Sequence, residues 1–216
     1  MSAAASNGLK IAVPRGALFE ETLDLLDELG IDTAEVRSND RKLVFPEQGI
    51  VTMRPSDVPT YVEHGAADIG ITGKDVLLEQ VRREVYELID LGYGFCRMVV
   101  AEQEGSDAMA RSLRRLGAVR VATKYPRIAA GHFADTGRQA EIVEVKGSVE
   151  IAPLTGLVDG IVDLTATGTT LTENHLVERE EICRCTARLI ANPVAHKLKA
   201  ADIDDLIARI RKAQAS

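Results

Sequence analysis

Leu9-Lys10-Ile11-Ala12-Val13-Pro14-Arg15-Gly16-Ala17-Leu18-Phe19, near the start of a 216-residue chain, is the stretch on which the fold class turns. Leu9 to Val13 is apolar and alternating, as a strand is, and Pro14-Arg15-Gly16 turns the chain. Leu18, Phe19, Thr22, Leu23, Leu26 and Leu29 then recur at helical spacing, with Gly30 as the stop. Strand, tight loop and helix in that order open an α/β unit.

The same alternation runs outward from this stretch. Lys42 to Phe45 and Gly49 to Met53 read as strands with Pro46 in the turn between them. Ser56-Asp57 can cap a helix carrying Val58, Tyr61 and Val62. Asp68 to Thr72 is a buried strand, Gly73-Lys74-Asp75 leads into a helix over Val76 to Leu78, and Val85 to Leu91 is another strand. Beyond Gly92 and Gly94 the spacing predicts strands at 96–101, 119–123, 141–145 and 161–164. Helices are predicted at 108–116, at 128–136 and from Ser148, with Pro153 limiting the last. Ile182 to Ala191 reads as the last strand, and a helix built on Ile203, Leu206, Ile207 and Ile210 follows Pro193. Strands alternating with helices predict mostly parallel sheets covered on both faces. The fold class is therefore α/β. We expect two α/β lobes around a cleft, like a type II periplasmic binding protein. Residues 1–92 with 182–216 form the first lobe and 93–181 the second.

Composition narrows the function. Hydrophobic residues are 45% of the chain and charged residues 27%, an ordinary globular balance. Aromatics are 4% and Trp is absent, which argues against a stacking platform for single-stranded nucleic acid. Acids outnumber bases 33 to 26, so nucleic acid and anionic membrane are disfavoured as partners. Polyanionic substrates would need locally gathered cations. Cys96, Cys183 and Cys185 have neither a disulfide nor a zinc spacing and read as small hydrophobes in a reducing compartment. Met1 to Gly8 lacks the features of a signal peptide, and no run is long enough to span a membrane, so the expectation is a cytoplasmic protein.

Chemistry concentrates in Ile161-Val162-Asp163-Leu164-Thr165-Ala166-Thr167-Gly168-Thr169-Thr170-Leu171. A buried strand delivers an acid, a hydroxyl-rich loop follows, and a helix starts. Backbone N–H groups and Thr hydroxyls there suit a phosphate, Gly168 lets the backbone approach it, and Asp163 can accept from a sugar diol. It is neither a Walker loop nor a dinucleotide turn. On these residues alone, a phosphate cradle and a polar turn capped by a Thr are both open.

An ordered set of motifs along nearly the whole chain resembles the catalytic subunit of the ATP phosphoribosyltransferase family. Asp163 to Leu171, with Asn174 and Leu176, resembles the family's phosphoribosyl-pyrophosphate loop. Gly147-Ser148-Val149-Glu150, then Ala152-Pro153-Leu154 and Gly156-Leu157, is similar to the signature before it. Arg41-Lys42-Leu43, Arg54-Pro55-Ser56-Asp57-Val58-Pro59, Gly65 to Gly70 with Gly73, and Ala122-Thr123-Lys124-Tyr125 match further segments. Two positions depart: where the family's first loop is often Lys-Gly-Arg this chain has Arg15-Gly16-Ala17, and a second acid common in the ribose motif is Ala166.

The resemblance implies transfer of the 5-phosphoribosyl group from phosphoribosyl pyrophosphate to N1 of ATP, the first step of histidine biosynthesis. N1 carries a lone pair and no proton, so the bond needs no general base, and the work is positioning and charge stabilisation. By resemblance Arg41 is the first candidate for the pyrophosphate, with Arg15 at the first strand–helix loop. Lys42, Arg54 and Lys74 are weaker. Asp163, Thr165, Thr167, Gly168, Thr169 and Thr170 are the phosphoribosyl-pyrophosphate candidates. Tyr125, Glu150 and Arg54 are those for the nucleotide. Glu150 also reads as a plain helix N-terminal acid, Tyr125 as a packed ring, and Asp68 and Asp75 as ligand contacts or caps. His64, His132, His175 and His196 lack a metal spacing. Magnesium is expected on the substrate's pyrophosphate, without protein ligands. The chain ends after one helix, like the family's short form, which implies a histidyl-tRNA-synthetase-like regulatory subunit and at least a homodimer. The rival readings are a non-catalytic two-lobe ligand-binding protein, a silent regulatory paralogue and a phosphoribosyltransferase for another base.

Overall fold

In the computed structural model, which describes residues 8–215, the opening stretch forms β1 (Ile11–Pro14), buried along its whole length. The helix after it, α1 (Phe19–Glu28), buries Thr22, Leu23 and Leu26 and ends where Gly30 takes a positive φ of 74°. The reading of residues 1–8 as leaderless falls almost wholly on residues 1–7, outside the described residues. A short helix, α2 (Ala34–Ser38), is not legible in the sequence, since five residues show no period. It is held by Asp27, whose carboxylate accepts from Thr33 N and Oγ1 at 3.0 and 2.8 Å and pairs with Arg37 at 3.1 Å.

The rest of this unit follows in order as β2 (Val44–Phe45), β3 (Ile50–Met53), α3 (Val58–Glu63), β4 (Ile69–Gly73), α4 (Lys74–Glu79) and β5 (Tyr86–Asp90). The chain returns to it at its end through β11 (Ala187–Ala191), α9 (Pro193–Leu198) and α10 (Ala200–Gln214). The sheet order is β2-β3-β1-β4-β11-β5. Side chains alternate between two layers, as the pleat requires. Ile11, Val13, Leu189 and Ala191 pack with Leu23, Leu26, Ile203 and Ile210. Ala12 and Ile190 pack on the other face with Val58 and Val62 of α3.

The second unit runs from Phe95 to Cys185. Its elements are β6 (Cys96–Gln103), α5 (Ala108–Leu116), β7 (Ala118–Thr123), α6 (Pro126–Asp135), β8 (Gln139–Glu144), α7 (Ile151–Leu154), β9 (Gly160–Thr165), α8 (Thr169–Glu173) and β10 (Leu176–Cys185). Its sheet order is β10-β6-β9-β7-β8, with β9 in the middle. Ile161 of β9 faces Ala152 and Leu171, whereas Val162 faces Met109, Ala129 and Phe133. Asp163 follows Ile161 at a spacing of two, on the face covered by α7 and α8.

Two expectations are corrected. The sheets are mixed, not mostly parallel: β1 is parallel to β3 and β4, and β7 to β8 and β9, but β2–β3, β4–β11, β11–β5, β6–β9 and β6–β10 are antiparallel. Strands entering from another unit or through a short turn need no helical crossover, so nothing forces them parallel. The single last strand expected over 182–191 is two strands, β10 and β11, because the chain leaves one sheet after Cys185 and joins the other at Ala187. β10 starts as early as Leu176. Its acids Glu178, Glu180 and Glu181 lie on an edge strand, where charge blunts unwanted pairing and hides the strand pattern. Cys185 is buried, Cys96 and Cys183 are partly buried, and no disulfide joins them. No helix among the described residues is long and apolar enough to cross a membrane.

Gly70 shows how tightly the first unit is packed. A Cβ there would stand 2.7 Å from Val58 Cγ1 and 2.8 Å from Val62 Cγ2. Gly70→Ala should therefore destabilise the protein by about 1–3 kcal/mol, the usual cost of overpacking a core. An unchanged urea midpoint would show that α3 yields freely.

Candidate functional site

β9 is flanked by β6 and β7 and places Asp163 near its end, paired with Val99 of β6. The side chain is 7% exposed, and its Oδ1 accepts from Leu164 N at 2.9 Å. Burial is the largest influence on the carboxyl and pushes its pKa above the usual carboxylate range. The Leu164 N–H and the charge of Lys124 pull it down, and Glu150 pushes it up.

The loop beyond Asp163 divides its labour. Thr165 is buried, and its Oγ1 accepts from Gly168 N at 2.9 Å. Gly168 has a φ of 82°, and a Cβ there would meet nothing within 4 Å, so backbone conformation and not space calls for glycine. These two residues shape the loop. Thr167, Thr169 and Thr170 are on its accessible side, with the Thr167 and Thr169 hydroxyls 2.8 Å apart. Asn174 Nδ2 donates to Thr170 O at 2.8 Å and closes α8.

Glu150 precedes α7 and its side chain caps nothing there, yet its charge reaches Asp163. Tyr125 precedes α6; its N donates to Thr123 Oγ1 at 2.9 Å, and its ring packs beside the Phe133 core. Lys124, which the sequence shows only as part of a motif, belongs with them. Thr123 is in register with Val162 on parallel β7 and β9, so Lys124 and Asp163 stand side by side where ligands bind parallel sheets. The strand-end positions of Thr123 and Val162 are the signal that could have found it.

In the first unit the cations differ sharply. Arg41 and Arg54 are exposed, and no described residue pairs with either side chain. Lys42 pairs with Glu35 and lies 5.0 Å over the Phe45 ring. Lys74 pairs with Glu87 at 2.7 Å. Arg15 is bound on three nitrogens: Nε donates to Thr52 Oγ1 at 2.9 Å, Nη2 to Lys42 O at 2.9 Å, and Nη1 stands 3.7 Å from Asp40. Ala17 is exposed beside it.

Asp68 accepts from Lys10 N and Lys199 Nζ, both at 2.7 Å, and so ties the C-terminal helices to β4. Asp75 Oδ1 fills the place that a Cβ on Gly73 would take. His132 pairs with Glu180 at 2.8 Å, alongside Arg138, and His196 meets Tyr86 edge-on at 5.4 Å. Among the described residues no three His, Cys, Asp or Glu side chains converge as a metal site.

Comparison with known proteins gives this geometry its context. A sequence profile of the family described as ATP phosphoribosyltransferase matches residues 54–212. The chain belongs to the ATP phosphoribosyltransferase family. An ATP phosphoribosyltransferase from Rubrobacter xylanophilus is 52% identical over 94% of this chain and 95% of its own. A solved ATP phosphoribosyltransferase (HisG:HisZ) complex from Thermotoga maritima contains a chain 34% identical, with a TM-score of 0.78, over 94% of this chain and 97% of that one. The alkanesulfonate-binding protein SsuA from Xanthomonas axonopodis pv. citri shares the fold at a TM-score of 0.57 and 13% identity, covering 95% of this chain and 72% of that one. The type II binding-protein architecture is thus the observed fold, and an ATP phosphoribosyltransferase family member occupies it here.

The raised pKa of Asp163 fixes a sign. Folding favours the protonated carboxyl, so this group's contribution to stability is full below the unfolded aspartate pKa. It is lost as pH rises through the raised folded value. Asp163→Asn should therefore be more stable than the parent at neutral pH, and the difference should close as pH falls through the aspartate range. Urea titrations across that range decide it; a less stable variant at neutral pH would mean that the carboxylate is well compensated.

Proposed function

We infer that the chain transfers the 5-phosphoribosyl group from phosphoribosyl pyrophosphate to N1 of ATP, giving N1-(5-phosphoribosyl)-ATP and pyrophosphate, the first step of histidine biosynthesis. The observation that carries the reading is a buried, under-donated carboxylate at Asp163 leading into accessible Thr hydroxyls, in a chain of this family.

The roles follow from that geometry. The ribose hydroxyls supply Asp163 with the donors it lacks, and the Thr167–Thr170 segment takes the 5-phosphate. The N1 lone pair forms the new bond to C1 while the bond from C1 to the pyrophosphate oxygen breaks, and the electron pair leaves with pyrophosphate. No proton moves in this step. Arg41 takes the leaving charge, since it is exposed and has no acid partner among the described residues. Arg54, Tyr125 and Glu150 are assigned to the nucleotide, and Lys124 joins them as a cation beside Asp163. Magnesium, carried by the substrate and not held by residues of this chain, would supply Lewis-acid neutralisation of the pyrophosphate charge.

The Thermotoga maritima relative was solved as a HisG:HisZ complex. We assign this chain a histidyl-tRNA-synthetase-like regulatory subunit in a hetero-oligomer, built on a homodimer, working in the cytoplasm.

Product formation is followed by the ultraviolet absorbance of N1-substituted adenine, with magnesium, for the chain alone and with its regulatory partner. Turnover with another base and none with ATP would move the assignment to a different phosphoribosyltransferase. Arg41→Ala should lower kcat by about 100- to 1000-fold, the range for removing one transition-state donor. Its melting temperature should stay within about 2 °C, as for an exposed side chain without partners. Asp163→Asn should weaken phosphoribosyl-pyrophosphate binding by about 10- to 100-fold, the worth of charged hydrogen bonds. Equal loss of stability and rate in Arg41→Ala would make Arg41 structural.

A further inference from the structure

We propose that Arg15 is a positioning residue, which holds the turn carrying Arg41 and does not itself touch the pyrophosphate. This rests on the role given to Arg41 above.

Two of the three contacts of the guanidinium flank Arg41 in the sequence. Nη1 faces Asp40 at 3.7 Å, the residue before Arg41, and Nη2 donates to the carbonyl of Lys42, the residue after it, at 2.9 Å. Nε anchors the fork on Thr52 Oγ1 at 2.9 Å, and Thr52 is 3% exposed in β3. The Arg15 backbone is fixed as well, since its N donates to Met53 O at 2.7 Å. Cζ lies 5.3 Å over the Phe19 ring. The turn has other ties, Lys42 N to Asn39 Oδ1 at 3.1 Å and Thr52 N to Leu43 O at 2.8 Å, but neither spans Arg41 from both sides as the Arg15 fork does.

A planar fork with fixed donor directions can meet a hydroxyl, a carbonyl and a carboxylate at once. An ammonium is a point charge on a flexible stem and cannot. Arg15 therefore spends its donors on the protein, and its charge is partly matched by Asp40. What it contributes to the reaction is the placement of Arg41, and placement errors of about 1 Å can cost on the order of 100-fold in rate. The loop cation and the missing basic residue at Ala17 are thus not alternatives for one job: Arg15 keeps the turn, and nothing at position 17 replaces a substrate contact.

The test is a double-mutant cycle in the full chain with its regulatory partner. Arg15→Ala should lower kcat by about 10- to 100-fold in the parent, and by less than about 3-fold in the Arg41→Ala background, since coupled residues are not additive. Arg15→Lys should behave like Arg15→Ala. Thr52→Val, a milder change should Arg15→Ala fold poorly, should give a smaller loss that also vanishes in the Arg41→Ala background. Fully multiplicative effects, or rescue by lysine, would place Arg15 on the substrate and overturn the proposal. Amide hydrogen exchange over residues 39–43 gives a readout without substrate: it should quicken in Arg15→Ala. If the parent makes no product, the functional reading fails, and unchanged exchange would overturn the positioning role on its own.

Discussion

Taking a carboxylate out of water costs several kcal/mol unless donors replace the lost solvent, and the second unit holds Asp163 out of water with Leu164 N as its one hydrogen-bond donor among the described residues. The sheet enforces this. β9 pairs with β7 as far as Val162 and with β6 through Asp163 to Thr165, which keeps the Asp163 backbone in the sheet. Lys124 at the end of β7 offsets part of the cost, and Glu150 adds to it. A ligand that brings hydroxyl donors relieves a penalty already present in the folded protein. In the role proposed for Asp163, discrimination for a sugar diol comes from what the site lacks before binding.

Much of this is legible in the sequence because it follows from period and position. The β1–α1 pattern, the apolar run of β4 and the Ile161-Val162-Asp163 strand each carry their signal within a few residues. What escapes depends on tertiary partners. The first part of β10, Leu176 to Glu181, shows no strand pattern until β6 is beside it. Its acids then meet cations such as Arg97, which lies 2.5 Å from Glu178. α2 is held by Asp27 from another helix, which no local window shows. In the site, Asp163 and the Thr-rich loop are visible as a strand end followed by hydroxyls. The division between Thr165, which shapes the loop, and the accessible Thr167, Thr169 and Thr170 is not. Nor are the partners of Arg15, which lie 27 and 37 residues away.

The acidic balance of the chain sharpens the picture of its cations. Arg37 is taken up by Glu20, Asp24 and Asp27, Arg138 by Glu180, and Arg188 by Glu87 and Asp90. With acids in excess, an arginine left without one stands out more than it would on a basic protein. Among the described residues Arg41 and Arg54 are of that kind, as are Arg82, Arg115 and Arg211, but of these five only Arg41 and Arg54 lie in segments that resemble the family. Surface pairing of this kind contributes little to stability.

The strand order of the first unit also sets a schedule for synthesis. β11 lies between β4 and β5, so β5 has no strand to join, and β4 keeps one edge open, until Ala187–Ala191 has left the ribosome. All of Phe95–Cys185 is made in the interval, and that unit is continuous in sequence and can complete its own pairings. The half begun first is finished last. During that wait β4, buried along its whole length in the finished fold, presents an unpaired edge of the kind that recruits other chains. A nascent chain of this protein is therefore most exposed to misassembly, and most in need of chaperone cover, after nearly all of it has been translated.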